Sequence, residues 1–248
     1  MPTLERTPTA TGPEKNAASN EVVRVYSKRA AWYNTTAHLY YLMGVRVDGY
    51  RKRTVEALRL RPGDRVLDLA CGTGANFPWL ERALGPQGHI LGLDLTPAML
   101  SEARERIQKN GWTNVELIQA DAANCTFPAP LDGVICSYAI SLMPNFPAII
   151  QRSATALRDG GRMGILDVRY RGASRFPNAI LDFVIKPFGS SDEVLRRRPW
   201  EEMPKFLTDV ELIEFYFGFL YIAAGTKVSR AQVPTRSINV HPGNACRQ

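Results

Sequence analysis

The chain lacks the features that would mark it as a secreted, membrane-spanning or metal-binding protein. No apolar run in its 248 residues approaches the roughly 18 needed to cross a bilayer, which predicts no transmembrane helix. The first twenty residues hold no apolar stretch typical of a secretory signal, so we expect a disordered leader there. Four cysteines and three histidines show no paired or ligand-like spacing, which favours free thiols in a reducing cytoplasm and no metal.

A glycine-containing stretch also lacks two features of phosphate-binding loops. Residues 68–74 read DLACGTG and follow a short apolar segment that is typical of a buried strand. Phe77 stands where a dinucleotide-binding loop has its third glycine, and the absence of a following Lys-Ser or Lys-Thr excludes a Walker loop. The carboxylate of Asp68 instead suits a ligand with a cationic amino-acid end and no phosphate, which describes S-adenosylmethionine. A purely structural turn between strand and helix is the alternative interpretation.

This stretch resembles motif I of the class I S-adenosylmethionine-dependent methyltransferases. Later signals follow in the order of that family: an acid ending the second strand, another after the third, and a Leu-x-x-Gly-Gly loop at residues 157–161. The resemblance covers about residues 26–227. It implies an α/β fold, namely a doubly wound, mostly parallel seven-stranded Rossmann-like sheet with a C-terminal antiparallel hairpin. It also implies S-adenosylmethionine as the cofactor.

Apolar runs between turn signals predict where the strands lie. We expect the strands at Val66–Leu69, His89–Asp94, Val115–Ala120, Leu131–Tyr138 and Met163–Val168, the hairpin at Val210–Phe217 and Phe219–Lys227, and a helix at Pro97–Asn110. The predicted domain organisation is a leader at 1–20, a helical cap at 21–61, a methyltransferase domain at 62–227 with an insertion at 170–205, and a mobile tail at 228–248.

Two acids at strand ends are candidates for holding the nucleoside. Asp94 lies twenty residues after Gly74, where a carboxylate can accept both ribose hydroxyls, although it could also cap the next helix. The resemblance implies that Asp121 faces the adenine amino group. The full predicted set for cofactor binding is Tyr33, Asp68, Ala70, Gly72, Gly74, Asn76, Asp94, Leu95, Met99, Asp121, Ala122 and Ser137.

The predicted cap at residues 21–61 is dense in aromatic side chains. Tyr26, Tyr33 and Tyr40 are seven residues apart, so they can share one helix face, either for packing or over a cationic ligand. The segment from Tyr26 to Asn34 resembles the N-terminal helix of ubiquinone/menaquinone-type methyltransferases, with Asn34 where Asp is usual. We predict Tyr26, His38 and Tyr138 as catalytic candidates, although a histidine such as His38 is more often a surface or packing residue than a base.

The excess of positive charge is concentrated near the N-terminus. The net charge is +7, and residues 21–65 hold ten basic against four acidic side chains. Such a bias can attract nucleic acid, an anionic membrane or acidic substrates, and it can also be a solvated helix face.

Absent motifs narrow the methyl acceptor. The fourth strand ends in Ser-Tyr-Ala-Ile at 137–140 and not in the Asn/Asp-Pro-Pro-Tyr/Phe of enzymes that methylate base amines, so no nucleic-acid partner is expected. Residues 137–146 resemble bacterial N-methyltransferases of phosphatidylethanolamine or betaine lipids. We therefore predict a lipid-amine methyltransferase that is cytoplasmic and peripheral on an anionic inner membrane. The alternatives are a methyltransferase of quinones or other hydrophobic small molecules, and a non-catalytic scaffold that binds S-adenosylmethionine.

Overall fold

A computed structural model describes residues 47–169, 192–228 and 238–242. Within these ranges eight strands form one sheet, in the order β3-β2-β1-β4-β5-β7-β6-β8. The strands are β1 Arg65–Leu69, β2 His89–Asp94, β3 Val115–Gln119, β4 Leu131–Ser137, β5 Leu157–Val168, β6 Thr208–Phe215, β7 Leu220–Thr226 and β8 Ile238–Pro242. β7 is antiparallel to both of its neighbours, and the other neighbouring pairs are parallel. The predicted fold class is confirmed.

Short helices connect the strands, and their ends follow local sequence signals. The helices are α1 Val47–Ala57, α2 Phe77–Leu84, α3 Pro97–Asn110, α4 Phe146–Ala156, α5 Asp192–Arg196 and α6 Pro199–Glu202, with 3-10 turns at Ile140–Leu142, Met203–Lys205 and Tyr216–Gly218. α2, α3 and α4 each carry a proline in the first turn, where no backbone donor is lost. α3 stops at Gly111, whose left-handed φ of 68° suits the glycine that ends a helix.

The helices cover both faces of the sheet, as the buried strands require. Leu67 of β1 packs in a cluster with Ile149 of α4 and Trp200 of α6. Its neighbour Val66 packs on the opposite face with Leu80 of α2 and residues of α1 and α3. Because side chains alternate along a strand, Asp68 points to the face that α1 and α2 cover.

The structure differs from the sequence predictions in the bounds of most strands. β1 starts one residue early, at Arg65, β6 is Thr208–Phe215 where residues 210–217 were expected, and β7 is Leu220–Thr226 where residues 219–227 were expected. β5 starts at Leu157, although residues 157–162 were expected to form a loop; Gly160 takes a φ of +80° within the strand, and the register with β4 shifts there. β3 and β4 each end one residue early. Residues 238–242, which were expected in a mobile tail, form β8 and pair in parallel with β6. The predicted leader, most of the cap and residues 170–191 lie outside the described residues.

Three cysteines of the described ranges, Cys71, Cys125 and Cys136, are free thiols. Burial raises the pKa of Cys71 and Cys136 well above the usual value, so neither is a nucleophilic thiolate at neutral pH. Among the residues described, no helix has the length and apolar character to cross a membrane. The same part of the chain contains no group of His, Cys, Asp and Glu arranged to hold a metal ion.

Candidate functional site

The turn after β1 lies at the carboxyl edge of the sheet. Ala70, Gly72 and Gly74 all have left-handed φ angles, of 52°, 56° and 72°. The two glycines serve different purposes. A Cβ on Gly72 would meet nothing within 4 Å, so backbone there is accessible to a ligand, whereas a Cβ on Gly74 would lie 2.5 Å from the ring of Phe77. Gly74 is therefore required so that Phe77 can pack against the turn, and Gly72 so that a ligand can approach the backbone.

Asp68 lies at the centre of a buried polar network beneath this turn. The side-chain amide of Asn76 donates to Asp68 Oδ1 at 2.9 Å. Asn76 Oδ1 in turn accepts from Arg51 Nη1 at 2.9 Å and from Ser137 Oγ at 3.3 Å. The network joins α1, the glycine turn and the end of β4. It therefore holds Asp68 in one orientation.

Asp68 Oδ2 is buried without a hydrogen-bond partner among the described residues. Burial raises the pKa of Asp68 from its ordinary 3.8 to about 7, against the lowering effects of the Asn76 hydrogen bond and the Arg51 charge. A buried acceptor without a partner is costly, and a cationic donor from a ligand would satisfy it. This oxygen is the strongest sign of a ligand site in the structure.

Asp94 stands at the end of the neighbouring strand and buttresses the same turn. Its Oδ2 accepts from the backbone N–H of Gly72 at 2.9 Å, and its Oδ1 accepts from that of Thr96 at 2.8 Å. Burial raises the pKa of Asp94. Thr96 occupies the N-cap of α3 without a side-chain capping bond. Each carboxylate oxygen can accept a further hydrogen bond, so Asp94 can bind a diol while it supports the turn.

The predicted adenine-side residues follow β2 and β3. Met99 is buried in the first turn of α3, and Leu95 is half-buried. Asp121 accepts from the backbone N–H of Ala123 at 2.8 Å and from the side chain of Asn124 at 2.9 Å, so its carboxylate stabilises its own turn.

Ala122 is buried beside this turn. Its carbonyl accepts from Arg152 Nη2 at 2.6 Å, and the carbonyl of Ala123 accepts from Arg152 Nη1 at 2.8 Å. Arg152, from α4, therefore fixes the loop after β3. No local signal in the sequence indicates this role of Arg152.

The end of β4 brings Tyr138 to the same edge. Tyr138 takes a left-handed φ of 58°, which is strained for an aromatic residue, and its N–H donates to Leu166 O at 2.6 Å. The guanidinium carbon of Arg51 lies 5.0 Å from the centre of its ring. Arg51 thus contacts both Tyr138 and the network around Asp68.

A third buried carboxylate, that of Asp167, anchors the turn that follows Tyr138. Asp167 Oδ2 accepts from the N–H of Ser141 at 3.0 Å, and Oδ1 accepts from that of Val168 at 2.8 Å. Burial raises the pKa of Asp167 from 3.8 to about 6. Arg197 holds the same turn from outside, donating to Ser141 O at 2.8 Å. The position of Tyr138 therefore depends on β5 and on the segment after α5.

Hydrogen bonds join five residues of the predicted cofactor-binding set into two groups. Asp68, Asn76 and Ser137 share one network, while Gly72 and Asp94 share a hydrogen bond. The predicted Tyr26, Tyr33 and His38 lie outside the described residues. Arg51 and Asp167 were missed as functional candidates. In the sequence Arg51 is only one of the ten basic side chains of residues 21–65, and no local signal indicates its contact with Asn76.

The arrangement fits S-adenosylmethionine on its own chemistry. An unpartnered carboxylate oxygen suits an ammonium group, an open glycine turn permits close approach, and a second carboxylate with spare acceptor capacity suits a ribose diol.

Comparisons with known proteins point in the same direction. Residues 60–195 match the family described as "Methyltransferase domain". The chain is 30% identical over 144 residues to a demethylmenaquinone methyltransferase of Listeria welshimeri, and the matched region covers 56% of this chain and 61% of that protein. It is 37% identical over 128 residues to an aklanonic acid methyltransferase of Streptomyces sp. strain C5, covering 51% and 57%. The chain thus spans about three fifths of the length of these curated relatives.

A solved structure agrees in fold. The phosphoethanolamine N-methyltransferase 2 of Haemonchus contortus, in complex with S-adenosyl-L-methionine, superposes with a TM-score of 0.55 at 17% identity. The superposition covers 68% of this chain and 50% of the other. At this identity the likeness concerns the fold alone.

Proposed function

The chain belongs to the family of S-adenosylmethionine-dependent methyltransferase domains, and we propose that it methylates the amine of a lipid headgroup, as in phosphatidylethanolamine N-methylation. We propose further that it does so at the cytoplasmic face of an anionic membrane. The observation that carries the proposal is an aromatic cluster beside the end of β4. The ring of Tyr50 meets Phe215 edge to face at 4.7 Å and Tyr216 at 6.0 Å, and Tyr138 packs against the same cluster. Tyr50 and Phe215 are themselves buried, so the rings of this cluster that can meet a ligand are those of Tyr216, which is 44% exposed, and of the half-buried Tyr138. Aromatic faces attract cationic amines, which N-methylation produces.

The amino-acid end of the cofactor has two matching groups in this chain. S-adenosylmethionine, when bound, supplies a methyl group activated by a sulfonium. Asp68 Oδ2 accepts a hydrogen bond from the ammonium, which explains why this oxygen has no partner among the described residues. Arg51, held by Asn76, places a positive charge beside it for the carboxylate. The Asn76 amide keeps the two opposite charges in register.

The nucleoside end is assigned to residues after β2 and β3. Asp94 accepts from the ribose hydroxyls while it also holds the glycine turn. Leu95 and Met99 supply apolar surface for the adenine ring. Asp121 acts mainly by shaping the loop, since both of its oxygens accept bonds from that loop, and Ala122 presents backbone to the ring.

Methyl transfer is an in-line displacement, so orientation of the acceptor accounts for much of the acceleration. The strained Tyr138, fixed by β5 and Arg51, orients the acceptor nitrogen. An ammonium nitrogen must lose a proton before it attacks. Within the described residues the Tyr138 side chain, in its deprotonated phenolate form, is the candidate acceptor of that proton. The roles of Tyr26 and His38 in catalysis and of Tyr33 in cofactor binding stay predictions.

A quinone is the second candidate acceptor. Relatives named demethylmenaquinone methyltransferases favour it, and an aromatic cluster also suits a quinone ring. The two acceptors differ in what they require from the site. A protonated amine needs a group that accepts its proton and an aromatic face that binds a cation. The ring carbon of a quinone carries no cationic nitrogen and needs no such face.

The deciding experiment follows the radiolabelled methyl group of S-adenosylmethionine into vesicles. One set contains phosphatidylethanolamine in an anionic background, and a second contains demethylmenaquinone and no amine lipid. Label in mono-, di- and trimethylated headgroups would support the lipid-amine proposal, and label in the quinone alone would replace it with the second candidate. Cofactor binding by calorimetry with no transfer to either would indicate a non-catalytic scaffold. Asp68→Asn is the matched control and should abolish transfer by weakening cofactor binding.

A further inference from the structure

The turn between β6 and β7 exposes two aromatic side chains, whereas the other large hydrophobic side chains of the described residues are buried or half-buried. Among the residues that the structure describes, the exposed large hydrophobic side chains are Tyr216, at 44%, and Phe217, at 92%. Scattered exposed apolar residues are common on proteins, but two adjacent aromatics at a hairpin tip form a concentrated apolar feature.

The backbone of this turn is strained and firmly braced. Tyr216 and Phe217 have left-handed φ angles of 50° and 56°, which L-residues with large side chains rarely adopt. Arg169 Nε donates to Gly218 O at 2.9 Å, and Tyr50 OH donates to the Tyr216 hydroxyl at 2.9 Å. Strain that the surrounding structure maintains concentrates at functional positions. The bracing holds the Phe217 ring outward.

The turn lies at the edge of the sheet that holds the proposed site. Leu220, the first residue of β7, pairs with Val168, the last residue of β5. The hairpin tip is therefore at the carboxyl ends of the parallel strands, the same edge as the glycine turn and Tyr138. A surface that met the tip would face the acceptor side of the site.

Basic side chains lie on the segments that pack against the base of the aromatic tip. The guanidinium carbon of Arg53 lies 5.4 Å from the ring of Phe215, at the base of the turn. Arg169, which braces the turn, also stacks 4.3 Å over Trp200 of α6, so the segment that links α5 and α6 lies beside the hairpin. Arg196, the last residue of α5, and Arg198, whose Nη1 pairs with Glu201 Oε1 at 3.0 Å, are exposed at this segment. An aromatic side chain within a basic rim is typical of contact with an anionic bilayer interface.

We propose that Phe217 inserts into an anionic lipid bilayer and that Arg53, Arg196 and Arg198 contact its headgroups, which docks the cofactor edge of the sheet on the membrane. This docking surface rests on the proposed function, because a lipid acceptor has to be reached within a bilayer. The net charge of +7 complements the anionic surface and adds long-range attraction.

The test is co-sedimentation of the full chain with vesicles of phosphatidylglycerol and phosphatidylcholine. Phe217→Asn removes the ring, and Asn tolerates the left-handed backbone, so folding is retained. This variant is expected to bind about tenfold more weakly or worse. Phe217→Trp should bind as the wild type does, and the fluorescence of its added indole should be quenched by lipids brominated in the acyl chains.

Charge removal provides a matched pair of controls. Arg196→Gln removes a charge at the proposed surface, and Lys109→Gln removes one at the far end of α3. At low salt the first should weaken vesicle binding by about fivefold, and the second should leave it unchanged. Equal effects of the two would overturn the assignment of the surface.

The outcomes separate this proposal from the proposed function. Vesicle binding by Phe217→Asn equal to that of the wild type would overturn the docking surface, even if phosphatidylethanolamine were methylated. Binding that needs Phe217 without any transfer to phosphatidylethanolamine would support the docking surface and reject the lipid-amine acceptor. Phe217→Asn should also keep wild-type turnover with lipid dispersed in detergent micelles, where docking on a bilayer is not required.

Discussion

Acid should weaken cofactor binding, because the buried carboxyl of Asp68 keeps its proton up to about pH 7. Burial raises the pKa of this group from 3.8 to about 7 in the cofactor-free protein. An ammonium group requires the ionised form, so each pH unit below 7 should lower the affinity about tenfold, or about 1.4 kcal/mol. Between pH 8 and pH 5 the dissociation constant is therefore expected to rise about 100-fold.

Isothermal titration calorimetry with S-adenosylhomocysteine, which keeps the same amino-acid end, measures this dependence. Asp68→Asn is the control, since it has the same shape, can still accept the bond from Asn76 Nδ2 and cannot ionise. It should bind weakly, with a much flatter pH profile. Because Asp94 is present in both proteins, the difference between the curves isolates Asp68. Parallel curves would refute the assignment of Asp68 to the ammonium.

The same pKa predicts how Asp68 affects stability. The folded protein holds this proton more tightly than the unfolded chain, so the contribution is complete below about pH 4 and is lost as the pH rises through 7. Asp68→Asn should therefore raise the free energy of unfolding of the cofactor-free protein at pH 8, by on the order of 2–4 kcal/mol, and change it little at pH 4. Urea denaturation at both pH values measures this, and a loss of stability at pH 8 would contradict it.

Three further substitutions test other parts of the site. Asp94→Ala should weaken S-adenosylmethionine binding by about 1.5–3 kcal/mol in calorimetry; unchanged affinity would remove Asp94 from the site. Gly74→Ala should lower the melting temperature more than Gly111→Ala, because both positions have a left-handed φ but only at Gly74 would a Cβ clash with Phe77, at 2.5 Å. The two variants should differ by about 1–3 kcal/mol in free energy of unfolding, and equal effects would exclude the clash. Asp167→Asn should lower kcat by about tenfold or more while cofactor affinity is retained, since it releases the turn after Tyr138; a parallel loss of cofactor affinity would indicate general unfolding.

The parts of the site that could be predicted are local in sequence. Asp68, Gly72 and Gly74 lie within one strand–turn–helix unit, where the residue types and their spacing reflect the backbone directly. Asp94 follows a strand of clear apolar pattern, so its place at the same edge follows from parallel strand order. These positions needed no knowledge of how distant segments pack.

The parts that were missed depend on packing between distant segments. Arg51 meets Asn76 across 25 residues, and Asp167 meets Ser141 across 26. In the sequence, Arg51 is one of several basic residues on a helix, and only the docking of α1 against the turn distinguishes it. β8 was missed because its pairing is made by backbone groups, which carry no residue-type signal.

The sheet order described above also bears on how the protein behaves at high local concentration. In the described part of the chain the outer strands are β3 and β8, each five residues long. β3 displays the exposed Glu116, and β8 ends in Pro242, which has no backbone donor to offer a further strand. The longer β6, which holds eight residues, is paired along both of its edges, with β7 and with β8. A protein that crowds onto a membrane surface would thereby be protected against edge-to-edge aggregation, and loss of β8 would remove that protection from β6.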